Sequence, residues 1–314
     1  TLAFYLEKKR EEEAAHRRRQ ALVGKKSVTQ DGREVHVCCN VGNCEDVQAA
    51  LQNDCEGVGL FRSEFLYMGS ESLPSEEKQY AQYARAARML GKKLLVIRTM
   101  DIGADKQAAC LPLPHEENPA LGMRSVRLCR QRPEILLTQL RAVCRASAEG
   151  NVAVMVPMIV AAEEVRWVRE MAAKVQGDLQ REGIPFDKNM QIGVMIETPA
   201  AVLIADELAE ECDFFSIGTN DLTQYTCALD RQNAKLEPFF NPHHPAVLRA
   251  IKMTIDAGHR HGIWVGICGE LGADTALTET FLRMGVDELS MNAKSVLPVR
   301  KIIRSIDLSK PSDK

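Results

Sequence analysis

From Val35 onward, short apolar and β-branched runs alternate with longer amphipathic stretches. The runs fall at residues 35–41 (VHVCCNV), 57–62 (GVGLFR), 94–100 (LLVIRTM), 152–159 (VAVMVPMI), 191–197 (QIGVMIE), 213–218 (DFFSIG), 263–269 (IWVGICG) and 287–291 (DELSM). They are nearly continuous in hydrophobicity, as strands buried on both faces require; a sheet with one wet face would alternate apolar and polar positions. The stretches Glu76 to Leu90, Pro133 to Ser147, Ala161 to Arg181, Ala200 to Glu210, Pro245 to His261 and Ala273 to Met284 carry the helical period. Eight strand and helix units in this order predict a closed parallel (β/α)8 TIM barrel, with a doubly wound open sheet as the alternative. Residues 1–22, rich in Glu, Lys, Arg and Ala with opposite charges four apart, predict a solvated linker helix ahead of a barrel domain at 23–314.

Composition narrows the picture without changing it. Of the 314 residues, 45% are hydrophobic and 26% charged, which suits a globular core. A net charge of -3 excludes the basic surface that nucleic-acid binding needs. No apolar run reaches the roughly 20 residues of a membrane span, so no membrane insertion is expected. The ten cysteines are scattered, and the tightest group, Cys38, Cys39 and Cys44, has no second cluster at zinc-ligand spacing. Free thiols in a cytoplasmic protein are the expectation.

A barrel gathers its chemistry where strands end. Arg62 ends the second predicted strand, Arg98 and Asp101 the third and Glu197 the fifth; Asn220 and Asp221 follow the sixth, and Cys268 and Glu270 close the seventh. Arg62, Arg98 and the later Arg231 can converge on one anion, because guanidinium forks match phosphate and carboxylate oxygens; the alternative pairs each with a local carboxylate. Glu197 and Asp221 offer hard oxygens on neighbouring strands, suited to magnesium, or they cap the helices that follow. Gly218 permits close backbone approach. Cys268, between Gly266 and Gly269, has room to bring a thiol to a substrate, and at an ordinary pKa near 8.5 it would serve as a proton donor; the alternative is an inert buried cysteine.

Seven motifs in order, GVGLFRSEFLYM (57–68), VIRTMDIGADK (96–106), ENPALGMRSVR (117–127), GVMIETPAA (193–201), DFFSIGTNDLTQYTCALDR (213–231), GICGE (266–270) and DELSM (287–291), closely resemble Enzyme I. That family is the phosphoenolpyruvate-protein phosphotransferase of the bacterial sugar phosphotransferase system, related to pyruvate phosphate dikinase and phosphoenolpyruvate synthase. The resemblance implies that Arg62, Arg98 and Arg231 bind the phosphoryl group, helped by Asn220 and the Asp221 backbone. It implies Mg2+ on Glu197 and Asp221, Cys268 as proton donor to the enolate, and Arg124 near the substrate. It also implies pyruvate as product, a homodimer, transfer to a histidine on an N-terminal phosphohistidine domain, and onward transfer to a histidine-containing phosphocarrier protein.

The chain departs from the family at several points. None of His16, His36, His115, His243, His244, His259 and His261 lies in a segment like the family's acceptor, so the acceptor is expected on a separate domain. Ala104 stands where DIGGDK has its second glycine, and Leu271-Gly272-Ala273 replaces a usual Ala-Gly pair. A non-catalytic phosphoenolpyruvate-sensing and dimerisation module, and the barrel of a dikinase or synthase relative, are the competing readings.

Overall fold

The computed structural model describes residues 21–103, 106 and 108–311. The predicted linker helix therefore lies, except for Ala21 and Leu22 in a turn, outside the described residues, as does Ala104. Eight strands form: β1 (His36–Val41), β2 (Gly57–Arg62), β3 (Leu94–Arg98), β4 (Val152–Val156), β5 (Ile192–Ile196), β6 (Phe214–Ile217), β7 (Trp264–Ile267) and β8 (Glu288–Met291). Each pairs in parallel with the next, and β8 closes onto β1 with His36 opposite Glu288 and Cys39 opposite Met291. That closure rules out the open sheet.

Strand alternation builds two cores. Leu60, Val96, Ala153, Met155, Met195 and Phe214 fill the barrel interior. The intervening residues, such as Leu95, Ile97, Val154, Val194 and Phe215, face outward and pack under the helices.

Helix ends follow local chemistry. Ser75 caps the helix Glu76–Leu90 by accepting from the Lys78 amide at 3.2 Å, with Glu76 and Glu77 in the first turn. Gly183, at φ 71°, stops Ala162–Glu182 in the left-handed conformation that glycine adopts without strain. His244 caps Pro245–Arg260, so its neighbourhood is turn chemistry, as its sequence predicts.

Several predicted strands are shorter than expected at their C-terminal ends. β3 stops at Arg98 and β4 at Val156, and β5 at Ile196 and β7 at Ile267. The rim residues leave the ladder so that their side chains can turn over the barrel mouth. The helix predicted over 200–210 is two short helices, Pro199–Leu203 and Ala205–Ala209, broken at Ile204. The one predicted from Ala273 begins at Thr278, after a 3-10 turn over Glu270–Ala273.

Candidate active site

The C-terminal mouth of the barrel holds a cavity of about 560 Å³ whose lining includes Arg62, Arg98, Glu197, Asn220, Asp221, Arg231 and Cys268. Arg124 lines a neighbouring cavity that shares Asp221 and Arg231 with the first. The fold therefore brings together residues that lie up to 206 positions apart in the chain, from Arg62 to Cys268.

Arg98 and Arg124 rest on carboxylates buried in the barrel mouth. Asp101, fully buried, receives Arg124 Nη2 at 2.9 and 3.1 Å, Lys106 Nζ at 2.9 Å and the Ser125 hydroxyl, with Arg98 Nη1 at 3.4 Å. Glu64, also buried, pairs with Arg98 and takes Lys106 Nζ at 2.8 Å. Burial works against the Asp101 charge, but Arg98, Arg124 and Lys106 overcome it and hold the carboxyl well below its usual range. Arg231 Nε lies 3.7 Å and Arg124 Nη1 4.0 Å from Asp221 Oδ1. Arg62 lies over the Phe65 ring at 5.4 Å. Sequence reasoning noted Asp101 as a strand end and passed over Glu64 and Lys106. Their signal was present, as charged residues inside the same rim motifs as Arg62 and Arg98.

Glu197 is 1% exposed, and its Oε1 accepts the Met158 amide at 2.8 Å. Met158 adopts φ 59°, a costly conformation for a side-chain-bearing residue, and the hydrogen bond accompanies it. Burial pushes the Glu197 carboxyl up to about 8, Asp221 and Asp101 add to the rise, and Arg98 and Arg124 offset only part of it. Glu197 does not cap the following helix: Thr198 does, accepting from the Ala201 amide at 3.1 Å. Asp221 lies in the first turn of Thr219–Cys227, whose cap position is Gly218. Both capping alternatives fall.

The magnesium expected from the resemblance fits this donor set. Two hard carboxylates raise each other's affinity for positive charge, and Gly218 leaves the Glu197 carboxylate uncrowded, since a side chain there would place its Cβ 2.7 Å from Glu197 Oε2. No group of three or more metal-ligating side chains occurs among the described residues.

Cys268, 4% exposed, lies just past β7 with Sγ 3.6 Å from the Ile217 carbonyl. Asn40 Nδ2 donates to the Cys268 carbonyl at 2.8 Å, and the Glu270 amide donates to Asn220 Oδ1 at 3.1 Å, fixing the rim segment on both sides. Burial pushes the thiol up to about 12, although the Ser216 hydroxyl draws it down. The ordinary pKa expected from sequence does not hold: this thiol keeps its proton at neutral pH, which suits a proton donor and disfavours a nucleophile. The flanking glycines also serve other ends. A side chain on Gly266 would strike the Glu288 carboxyl, and one on Gly269 the Thr219 hydroxyl.

The described histidines lie away from the cavity. His243 pairs with Asp274 at 2.5 Å, His259 with Asp287 at 2.8 Å and His261 with Asp206 at 3.1 Å.

The family described as PEP-utilising enzyme, PEP-binding domain matches residues 16–308. The chain is 50% identical to the phosphoenolpyruvate-protein phosphotransferase of Haemophilus influenzae over 90% of its own length and 49% of that protein. It is 44% identical to that of Geobacillus stearothermophilus over 97% of its length and 53% of the other. The chain thus spans about half the length of the curated relatives it matches. Among solved structures, an HpcH/HpaI aldolase/citrate lyase family protein from Burkholderia cenocepacia covers 87% of this chain and 94% of its own at a TM-score of 0.53 and 14% identity, a likeness of fold alone.

Proposed function

We propose that this chain, which belongs to the PEP-utilising enzyme family as its phosphoenolpyruvate (PEP)-binding domain, binds PEP together with Mg2+ and supplies the phosphoryl group to a histidine on a separate N-terminal domain, releasing pyruvate. The observation that carries this reading is the meeting of arginines, two carboxylates and a protonated thiol in one cavity. Arg62, Arg98 and Arg231 take the phosphate oxygens, with Asn220 beside them, and Arg124 takes the substrate carboxylate. The buried Glu64 and Asp101 hold Arg98 and Arg124 in place before substrate arrives, so little reorganisation accompanies binding. Glu197 and Asp221 would hold the metal, whose chemistry is to neutralise charge that develops on the substrate oxygens.

Phosphoryl transfer leaves an enolate, and Cys268 gives its proton to the methylene carbon. General acid catalysis of this kind is typically worth about 10²- to 10⁴-fold. A thiol held near 12 keeps its proton, and so stays neutral, across the neutral pH range, which a pure PEP sensor would not need. By the same family likeness the chain works as a homodimer in the cytoplasm, feeding a histidine-containing phosphocarrier protein that serves sugar uptake.

Calorimetric titration with PEP tests the site. Binding should strengthen markedly with magnesium; binding that ignores the metal would remove Glu197 and Asp221 from their role. Adding an acceptor histidine domain should then yield pyruvate.

A further inference from the structure

Below the rim, the apolar barrel interior is interrupted where β8 meets β7 and β1. There Glu288, 3% exposed, turns its carboxyl into the core. Neither carboxylate oxygen makes a well-formed hydrogen bond; among the described residues the Cys38 thiol and the Ser290 hydroxyl are the only polar neighbours close enough to favour its charge. Two glycines make its space: a side chain on Gly59 of β2 or on Gly266 of β7 would collide with the carboxyl. An unpartnered buried carboxyl opposes folding, so the fold keeps room for a group that weakens it.

Register places this carboxyl beneath the reactive thiol. Gly266 stands opposite Ser216 of β6 and opposite Glu288 of β8. Cys268 is two residues further along the chain from Gly266, about 6.6 Å nearer the rim, and both Cys268 and the Glu288 carboxyl face the interior. The Ser216 hydroxyl lies beside the thiol, and the charge of Glu288 reaches it. Around the carboxyl stand the Cys38 thiol of β1 and the Ser290 hydroxyl of β8; around the Cys268 thiol stand Arg98 and Glu197.

We propose that Glu288 is a positioning residue for the proton that Cys268 carries, returning a proton to the Cys268 thiolate after each transfer to substrate. This rests on the proton-donor reading of Cys268 given above. A C–H bond forms at the methylene carbon as the S–H bond breaks. The thiolate then takes the proton of the Ser216 hydroxyl beside it, reforming S–H, as that hydroxyl takes the proton of the Glu288 carboxyl across Gly266, and the carboxylate recovers a proton from water after product leaves. Burial holds the carboxyl up to about 8, partly offset by Cys38 and Ser290, while the thiol is held near 12, so the proton moves downhill from carboxyl to thiolate.

The test is the exchange of pyruvate methyl hydrogens in deuterated water, followed by proton NMR with the whole chain and magnesium. Without Glu288, the proton that Cys268 removes returns to the same carbon, so exchange stalls. E288Q and E288M should exchange about tenfold or more slowly, bind PEP as tightly as wild type, and melt at the same temperature or higher. Wild-type exchange in both variants, with C268A inactive, would overturn the relay and leave the proton-donor reading intact. Undiminished exchange in C268A would instead overturn that reading. Variants that fail to fold, melt well below wild type or lose PEP affinity would make Glu288 structural and end the proposal.

Discussion

The substitution Asp101→Asn removes one charge from the buried cluster at the barrel mouth while keeping its shape. In the native chain three cations, Arg98, Lys106 and Arg124, face two carboxylates, Glu64 and Asp101. The variant leaves three against one. Removing one partner of a buried pair costs about 3–5 kcal/mol, because the other charge stays desolvated. Lys106, the most exposed of the three with 20% of its side chain accessible, can turn to water, so the lower end applies, about 3 kcal/mol. For a chain of this size the melting temperature should fall by about 6–12 °C. The Asp101 carboxyl is held below its ordinary 3.8, so its contribution is present above that value and is lost only as pH falls through the lowered one. The difference between wild type and variant should therefore be flat from about pH 5 to 8. Arginines no longer held in place bind PEP less tightly, so PEP with magnesium should widen the gap: ligand at about 100 times the wild-type Kd adds about 2.7 kcal/mol to the wild type and less to the variant. Scanning calorimetry with and without PEP decides the matter. A gap below about 1 kcal/mol, or one that PEP narrows, would refute the idea that Asp101 organises the arginines for an anion.

Cys268→Ala should lose about 10²- to 10⁴-fold in pyruvate formation with an added acceptor domain, while calorimetry finds PEP affinity unchanged; equal losses in rate and affinity would contradict a proton donor. Glu197 and Glu288 both hold protons up to about 8 from an ordinary 4.5. Each therefore favours the folded state fully below 4.5, and that contribution is lost as pH rises through 8. The unfolding free energy from urea titration should drop between about pH 5 and 9, by several kcal/mol in all, and magnesium should recover the Glu197 share. Arg300, 1% exposed at the opposite end of the barrel, donates to the Asp54 carbonyl at 2.7 Å and the Ser27 hydroxyl at 3.0 Å and pairs with the Asp54 carboxylate. Arg300→Met should cost about 3–5 kcal/mol in urea unfolding with PEP affinity untouched.

The eight-strand count, the parallel pairing and the residues of the rim were legible along the chain. Strands buried on both faces must be continuously apolar, and a barrel must put its polar residues where that apolarity stops. Arg62, Arg98, Glu197 and Asp221 could therefore be picked out one strand at a time. Strand ends could not be fixed: the apolar run VAVMVPMI continues past Val156, but Met158 leaves the sheet at φ 59° with its amide on Glu197. Hydrophobicity does not encode that departure.

What the sequence determined by itself was the barrel and the chemical types at its mouth, because both follow from local pattern and from motif. Only the tertiary structure decided how those groups act on one another. Asp101 became the hub of three cations through contacts 3, 5 and 23 residues along the chain. Cys268 became a thiol that holds its proton because β6 and the rim loops enclose it. Glu288 looked like one polar letter at the start of a strand, and closure of β8 between β7 and β1 put its carboxyl inside the core under that thiol. Burial and charge proximity are sums over neighbours distant in sequence, and those sums exist only once the barrel is closed.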